Sequence, residues 1–348
     1  MRAVVDRTIA PLTTLGLGGE ASEIVEASTD EDIVSCLRCW GRQSRPGVLL
    51  AGGSNVVVAD APGDTAVMLL RTRGLELRRS GDSTAVEVEA AAGESLQDVV
   101  DACLDAGLAG VECLSGIPGS VGATPMQNVG AYGQEIADVV SSVKVYDREL
   151  DTVYRMTRSD CRFGHRSSAF RGSSRWAVLA VTLCLQRSRL SDPLRYAQLA
   201  QHLGTALGDR MPLADVASAV VSLRRSKGMV LDPADPDTRS VGSFFTNPVV
   251  GAGQRERLLA AAPGVPLFGI GPGRWKASAA WLIEQAGFGR GYGPGPVRIS
   301  TKHTLALTHP GGGSTEMLVA LAREIRDGVL ATYGILLEPE PVLIGVEL

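Results

Sequence analysis

Two rhythms of apolar residues alternate along the first half of the chain. Runs that are unbroken or repeat every second residue are "ASEIVEAST" (21–29), "GVLLAGGSNVVVAD" (47–60), "TAVMLLR" (65–71) and "STAVEVEAAAG" (83–93). They predict strands, the second of them interrupted by a glycine turn. Between them "DEDIVSCLRCWGRQ" (30–43) and "SLQDVVDACLDAGLAG" (95–110) space their apolar residues as helices do, behind capping residues. "VVSSVKVYDRELDTVYRMT" (139–157) predicts a hairpin and "RWAVLAVTLCLQ" (175–186) a strong strand.

The pattern changes at "RSRLSDPLRYAQLAQHLG" (187–204). From there to about residue 290 it predicts helix, loop and short strands, with "PLADVASAVVSLRRSKG" (212–228) the clearest helix. "VRISTKHTLALTHPGGGS" (297–314) predicts a strand and turn, and "TEMLVALAREIRDGVLATYG" (315–334) a long helix. The closing "ILLEPEPVLIGVEL" (335–348) predicts a strand interrupted by prolines. No repeat period or low-complexity tract appears. The expected break falls near residues 187–192, between two lobes of unequal kind.

The 348 residues suffice for two or three domains with real cores, and 45% hydrophobic with 21% charged residues describes an ordinary folded protein. The net charge of −4 argues against a general nucleic-acid binder, which would carry a basic field. No apolar run reaches the roughly 18–20 residues that span a bilayer, and the N-terminal stretch lacks a signal-peptide layout. Cys36 and Cys39 form a CxxC inside a predicted helix, with no second pair or nearby histidine to suggest a metal. Reduced thiols in a cytoplasmic protein are the expectation.

Two glycine-rich stretches remain. "LAGGSNVVVAD" sets Gly52, Gly53, Ser54 and Asn55 between β-branched runs, and "CLSGIPGSVGATPMQNVGAYG" (113–133) contains no charged residue. Glycine lets backbone N–H groups approach an anion, so a charge-free glycine loop suits a dinucleotide pyrophosphate. A tight turn is the alternative for either stretch alone. Neither stretch matches GxGxxG or GxxxxGK[ST].

In order, "PLTTLGLGG", "LAGGSNVVVAD" and "LSGIPGSVGATPMQNVGAYGQEI" resemble the FAD-binding part of the UDP-N-acetylenolpyruvoylglucosamine reductase family. "CRFGHRSSAF", "RRSKGMVLDP", "GSFFTNPVV", "AAWLIEQAGF" and "EPEPVLIG" resemble its substrate and catalytic segments, so the likeness runs over nearly the whole chain. It implies an α+β protein with a vanillyl-alcohol-oxidase-type FAD-binding fold and a C-terminal substrate domain. The expected segments are 1–65 and 66–188 around FAD, 189–335 for the UDP-sugar, and 336–348 as a strand returning to the active site.

The implied reaction reduces UDP-N-acetylglucosamine enolpyruvate to UDP-N-acetylmuramate for peptidoglycan, with FAD as cofactor and NADPH as reductant. Hydride would pass from flavin N5 to C3 and a proton from Ser243 to C2, with Arg166 and Glu340 stabilising the enolate. A guanidinium offers paired donors to that carboxylate. Glu338 is the competitor for Glu340, two residues away. The resemblance places FAD against Gly52, Gly53, Ser54, Asn55, Ser115, Gly116, Ile117, Pro118, Gly119, Gly122, Ala123, Asn128, Gly130, Ala131, Tyr132 and Gly133. It places substrate against Tyr196, Lys227, Asn247 and Gln285, with Tyr196 on a mobile loop. Arg224, Arg225 and Lys227 form a local basic patch, readable also as cations at a helix C-terminus.

One position departs from the family: His165 stands where a tyrosine is usual before the catalytic arginine. His303 reads as structural, within a strand. No metal, nucleic acid or membrane partner is implied, and a monomer is expected. Two alternatives stay open: a flavin oxidase or dehydrogenase on another substrate, and a non-catalytic paralogue.

Overall fold

The computed structural model describes residues 1–79, 84–293 and 295–348, so Ser83, the first residue of one predicted strand, lies outside it. The chain divides into two compact units. The first gathers Met1–Arg7, Ala21–Gly52 and Asp64–Ser226, the second Thr8–Glu20, Gly53–Gly63 and Lys227–Leu348.

In the first unit, strands Glu23–Ala27 and Gly47–Leu50 flank Ala66–Leu70 in parallel, and Arg2–Val4 adds an antiparallel edge. Helix Asp30–Arg42 starts where Thr29 Oγ1 accepts the Asp32 N–H, and its buried face carries Ile33, Leu37 and Trp40. Cys36 shares that face; burial pushes its thiol up to about 11, so it packs rather than reacts. A second, antiparallel sheet is centred on Trp176–Arg187, between Val140–Asp147 and Ala85–Ala91. That central strand is buried from Ala177 to Leu183 because both of its faces are covered, which explains its unbroken apolar run.

Asp147 closes one end of this sheet. Its buried carboxylate accepts from Arg175 at 2.7 and 2.9 Å, from the Glu149 and Leu150 N–H groups, and from the Tyr154 hydroxyl. Arg175 foremost holds the carboxyl well below the usual carboxylate range. The unfolded chain protonates an aspartate near pH ~4, so this stabilisation is full above that pH and fades as pH falls toward the depressed folded value. Asp147→Asn is therefore expected to lower the melting temperature at neutral pH and to flatten its dependence below about pH 4. Parallel melting curves for parent and variant across that acid range would refute the assignment.

Among the described residues the second unit holds three small sheets. Ser240–Ser243 pairs with Ala306–Thr308, which pairs with Arg298–Ile299; Val249–Gly251, Arg274–Ala277 and Leu267–Gly271 form another. In the third, Val342–Ile344 runs parallel to Val56–Val58. Helix Thr315–Tyr333 begins at Ser314, whose hydroxyl accepts the Met317 N–H, and the Asp60 carboxylate accepts from Thr315 and Glu316 at the same end. A carboxylate there meets both orphan donors and the helix dipole. Leu15, Leu17 and Val57 join Leu318, Ile325 and Val329 in one core.

This division departs from the four-segment expectation. The helices Ala197–His202 and Leu213–Arg225 belong to the first unit, because Leu199, Val216 and Val220 pack around Cys113. The change of pattern near residue 187 marks a change from strand to helix within the first unit, where the helices close a small core of their own. The short stretches Thr8–Glu20 and Gly53–Gly63 go with the C-terminal unit. His303 lies in the turn between Arg298–Ile299 and Ala306–Thr308 rather than in a strand.

Candidate active site

The charge-free stretch folds as a compact loop in the first unit. Gly52 and Gly119 meet backbone to backbone: a Cβ on Gly52 would lie 2.5 Å from the Gly119 Cα. The amides of Ile117, Val121, Gly122 and Ala123 are bound to carbonyls of the chain, and that of Gly116 donates to Gln97 Oε1 at 2.5 Å. Fewer amides thus face outward than the glycine count suggests. What the loop does offer is two hydroxyls, Ser115 Oγ and Ser120 Oγ, buried and without a hydrogen-bond partner among the described residues. Buried donors of this kind fit the phosphate oxygens of a dinucleotide, which would meet a need that the fold leaves unmet. Ser120 was not among the residues singled out by sequence; it is recognisable only from its burial.

The Asn128 side chain is engaged within the protein. Its amide Nδ2 donates to Glu135 Oε2 at 2.7 Å and to the Gly164 carbonyl at 3.0 Å, while Oδ1 accepts the Ala137 N–H. Both amide hydrogens are therefore spent inside the protein. Its backbone carbonyl and that of Gly130 accept from the Arg166 guanidinium at 3.3 and 2.9 Å. His165 Nδ1 stands 3.8 Å from Glu135 Oε1. Glu135, Asn128 and His165, with Arg158 and Arg162, border a cavity of about 540 Å³.

Tyr132 and Tyr196 are brought together, their rings edge to face at 5.3 Å. Glu112, fully buried, ties their two segments by accepting from Gln134 Nε2 and the Asp192 N–H. Burial pushes the Tyr132 phenol up and the Arg224 guanidinium down to about 10, which leaves that cation charged at neutral pH. Arg224 and Arg225 end a helix of the first unit, and Lys227 opens the long segment of the second.

In the second unit Ser243 and Glu340 become neighbours. The strand Ser240–Ser243 bulges between Ser240 and Ser243, where Gly242 has φ +74°, a left-handed turn that favours glycine. Such a bulge re-aims the side chain that follows it. The Glu340 N–H donates to the Phe244 carbonyl at 2.8 Å, and Phe245 bridges Pro339. Glu340 is half-buried and Glu338 exposed, which favours Glu340 of the two. The Asn55 carbonyl accepts the Val342 N–H and the Gly53 carbonyl the Thr14 N–H, so Gly53, Ser54 and Asn55 sit beside the strand that follows Glu340.

Asn247 Oδ1 accepts the Ala279 N–H at 2.9 Å and so sets the start of helix Ala279–Gln285, whose last residue is the exposed Gln285. His303 lies near Lys227; burial and then that charge push its imidazole down to about 4, so it is neutral at neutral pH.

Loop and sheets together define the class: the FAD binding domain family matches residues 21–156, within which the glycine loop and Asn128 fall. The family described as UDP-N-acetylenolpyruvoylglucosamine reductase, C-terminal domain, matches residues 233–344, including Ser243, Asn247, Gln285 and Glu340. This chain belongs to the UDP-N-acetylenolpyruvoylglucosamine reductase family. It is 51% identical to the reductase of Thermobifida fusca over 98% of this chain and 97% of that one. It is 52% identical to the reductase of Salinispora arenicola over 97% of this chain and 94% of that protein. The fold also matches the crystal structure of the Thermus caldophilus reductase, with a TM-score of 0.69 at 22% identity and 99% coverage of both chains.

Proposed function

We propose that this chain is a flavin-dependent reductase that uses NADPH to convert UDP-N-acetylglucosamine enolpyruvate into UDP-N-acetylmuramate, a peptidoglycan precursor. The observation that carries this reading is the match to reductases over 98% of the chain, spanning both units. Bound FAD supplies the two-electron relay between NADPH and C3 of the enolpyruvyl ether.

The protein's share is position, charge and one proton. Ser115 and Ser120 meet the cofactor's pyrophosphate. Arg166 pairs with the enolpyruvyl carboxylate as negative charge develops there, a task for a cation that stays charged. Ser243 delivers the proton to C2 at short range, and Glu340, held one residue away on the neighbouring segment, polarises the carboxyl end of the substrate. Lys227 takes the diphosphate as a point charge, and Tyr196, Asn247 and Gln285 position the nucleotide sugar. The six cysteines are free thiols, in keeping with a cytoplasmic enzyme, and a monomer is the assembly proposed. Among the described residues no helix is long and apolar enough to cross a membrane.

The test is spectroscopic. The purified yellow protein should bleach with NADPH in the absence of oxygen and recolour on adding the enolpyruvyl substrate. Recolouring with oxygen alone would replace this reading by an oxidase. A protein that neither carries nor takes up FAD would leave only a binding role.

A further inference from the structure

The turn that presents Arg166 is held in an unfavourable shape. Gly164 and Ser167 exchange two backbone hydrogen bonds at 2.9 and 3.2 Å, and between them Arg166 sits at φ +49°. A side chain with a β-carbon stays in that left-handed region only when its surroundings fix it. The surroundings here are specific. Asn128, itself at φ +51° and buried, grips the Gly164 carbonyl with its amide and receives the guanidinium on its own carbonyl. The other amide hydrogen of Asn128 goes to Glu135.

Glu135 is the charged end of this chain of contacts. The Asp138 carboxylate accepts its N–H at 3.2 Å, its carboxylate takes the Asn128 amide at 2.7 Å, and His165 stands on its other side. The neighbouring His165, the hydrogen bond from Asn128 and the charge of Arg166 hold its carboxyl below the ordinary value. It is therefore an anion at neutral pH, two contacts from the arginine side chain. A small displacement of a charged group from its productive geometry is costly in rate, so the stiffness of this support matters to the chemistry.

We propose that Glu135 is a positioning residue for Arg166: through the Asn128 amide it fixes the left-handed turn and the two carbonyls that aim the guanidinium at the substrate carboxylate. This rests on the reductase reading above. Because Arg166 acts on the enolpyruvyl carboxylate, loss of the Glu135 charge disturbs one half of the catalytic cycle and spares the other.

The experiment follows flavin absorbance in both half-reactions, in parent, Glu135→Gln, Glu135→Asp, Arg166→Gln and the Glu135→Gln/Arg166→Gln double variant. Glutamine keeps an acceptor for Asn128 and removes the charge; aspartate keeps the charge. Expected for Glu135→Gln are an unchanged flavin spectrum, a reduction rate with NADPH within twofold of the parent, and reoxidation by the enolpyruvyl substrate slowed about 10- to 100-fold. Glu135→Asp should recover part of that loss. In the Arg166→Gln background Glu135→Gln should have little further effect, because the two act as one unit. Equal slowing of both half-reactions, or full additivity in the double variant, overturns the proposal. If Glu135→Gln does not hold flavin, Glu135→Asp decides by the same split. A parent enzyme that fails to recolour with substrate overturns the reductase reading, whereas a parent that recolours beside an unimpaired Glu135→Gln overturns this inference alone.

Discussion

Ser243→Ala will keep its yellow colour and its reduction by NADPH, and will be reoxidised by the enolpyruvyl substrate about 10²- to 10⁴-fold more slowly than the parent. A serine hydroxyl is a weak acid, so its use as proton donor depends on place. The bulge at Gly242 provides the place: it turns Ser243 out of strict alternation, and the Glu340 N–H bonded to the Phe244 carbonyl fixes the neighbouring segment. Removing the hydroxyl leaves that backbone intact, since Ser243 pairs with Ala306 through the main chain. The loss therefore concerns proton delivery and not folding. Stopped-flow absorbance of the prereduced flavin measures it, and a variant reoxidised within threefold of the parent would remove Ser243 from the chemistry.

Gly52→Val is expected to be among the more damaging of the loop substitutions, yielding a protein that purifies without flavin. The first added carbon would stand 2.5 Å from the Gly119 Cα, and backbone cannot swing aside as a side chain can. Overpacking of this kind costs about 1–3 kcal/mol where a core yields, and more where it cannot. The strain would fall on the loop that bears Ser115 and Ser120, the hydroxyls proposed to meet the cofactor. Flavin content after purification in excess FAD and the melting temperature test this together. A fully loaded Gly52→Val enzyme would show that the approach of the two loops is dispensable.

The sequence revealed most where chemistry or periodicity is local. Helices Asp30–Arg42, Leu213–Arg225 and Thr315–Tyr333, and the strand Trp176–Arg187, lie where the apolar rhythm placed them. Motif order also pointed to Arg166, Ser243 and Glu340, the residues on which the proposed chemistry rests. The allegiance of short segments was hidden: Leu15, Leu17 and Val57 belong to the C-terminal core, yet two loop residues and one from a three-residue strand carry no rhythm that names their partner. Nor does composition tell that Leu199 and Val216 close around Cys113. Within the site, residue type alone does not tell that the Asn128 amide is spent on Glu135 and Gly164. Ser120 and Glu135 went unnoticed because burial and a neighbour's hydrogen bond, not a motif, set them apart.

The parallel pairing of Val342–Ile344 with Val56–Val58 has a consequence for biosynthesis. A chain emerging from the ribosome makes its early segments long before their partners exist. Ala21–Gly52 and Asp64–Ser226 can assemble as soon as Ser226 has emerged, but Thr8–Glu20 and Gly53–Gly63 must wait for the segment Lys227–Leu348. Until then Leu15, Leu17 and Val57 remain uncovered, and the interval is a window for chaperone capture or aggregation. A nonsense codon ahead of Val342 would leave Val56–Val58 without its partner strand.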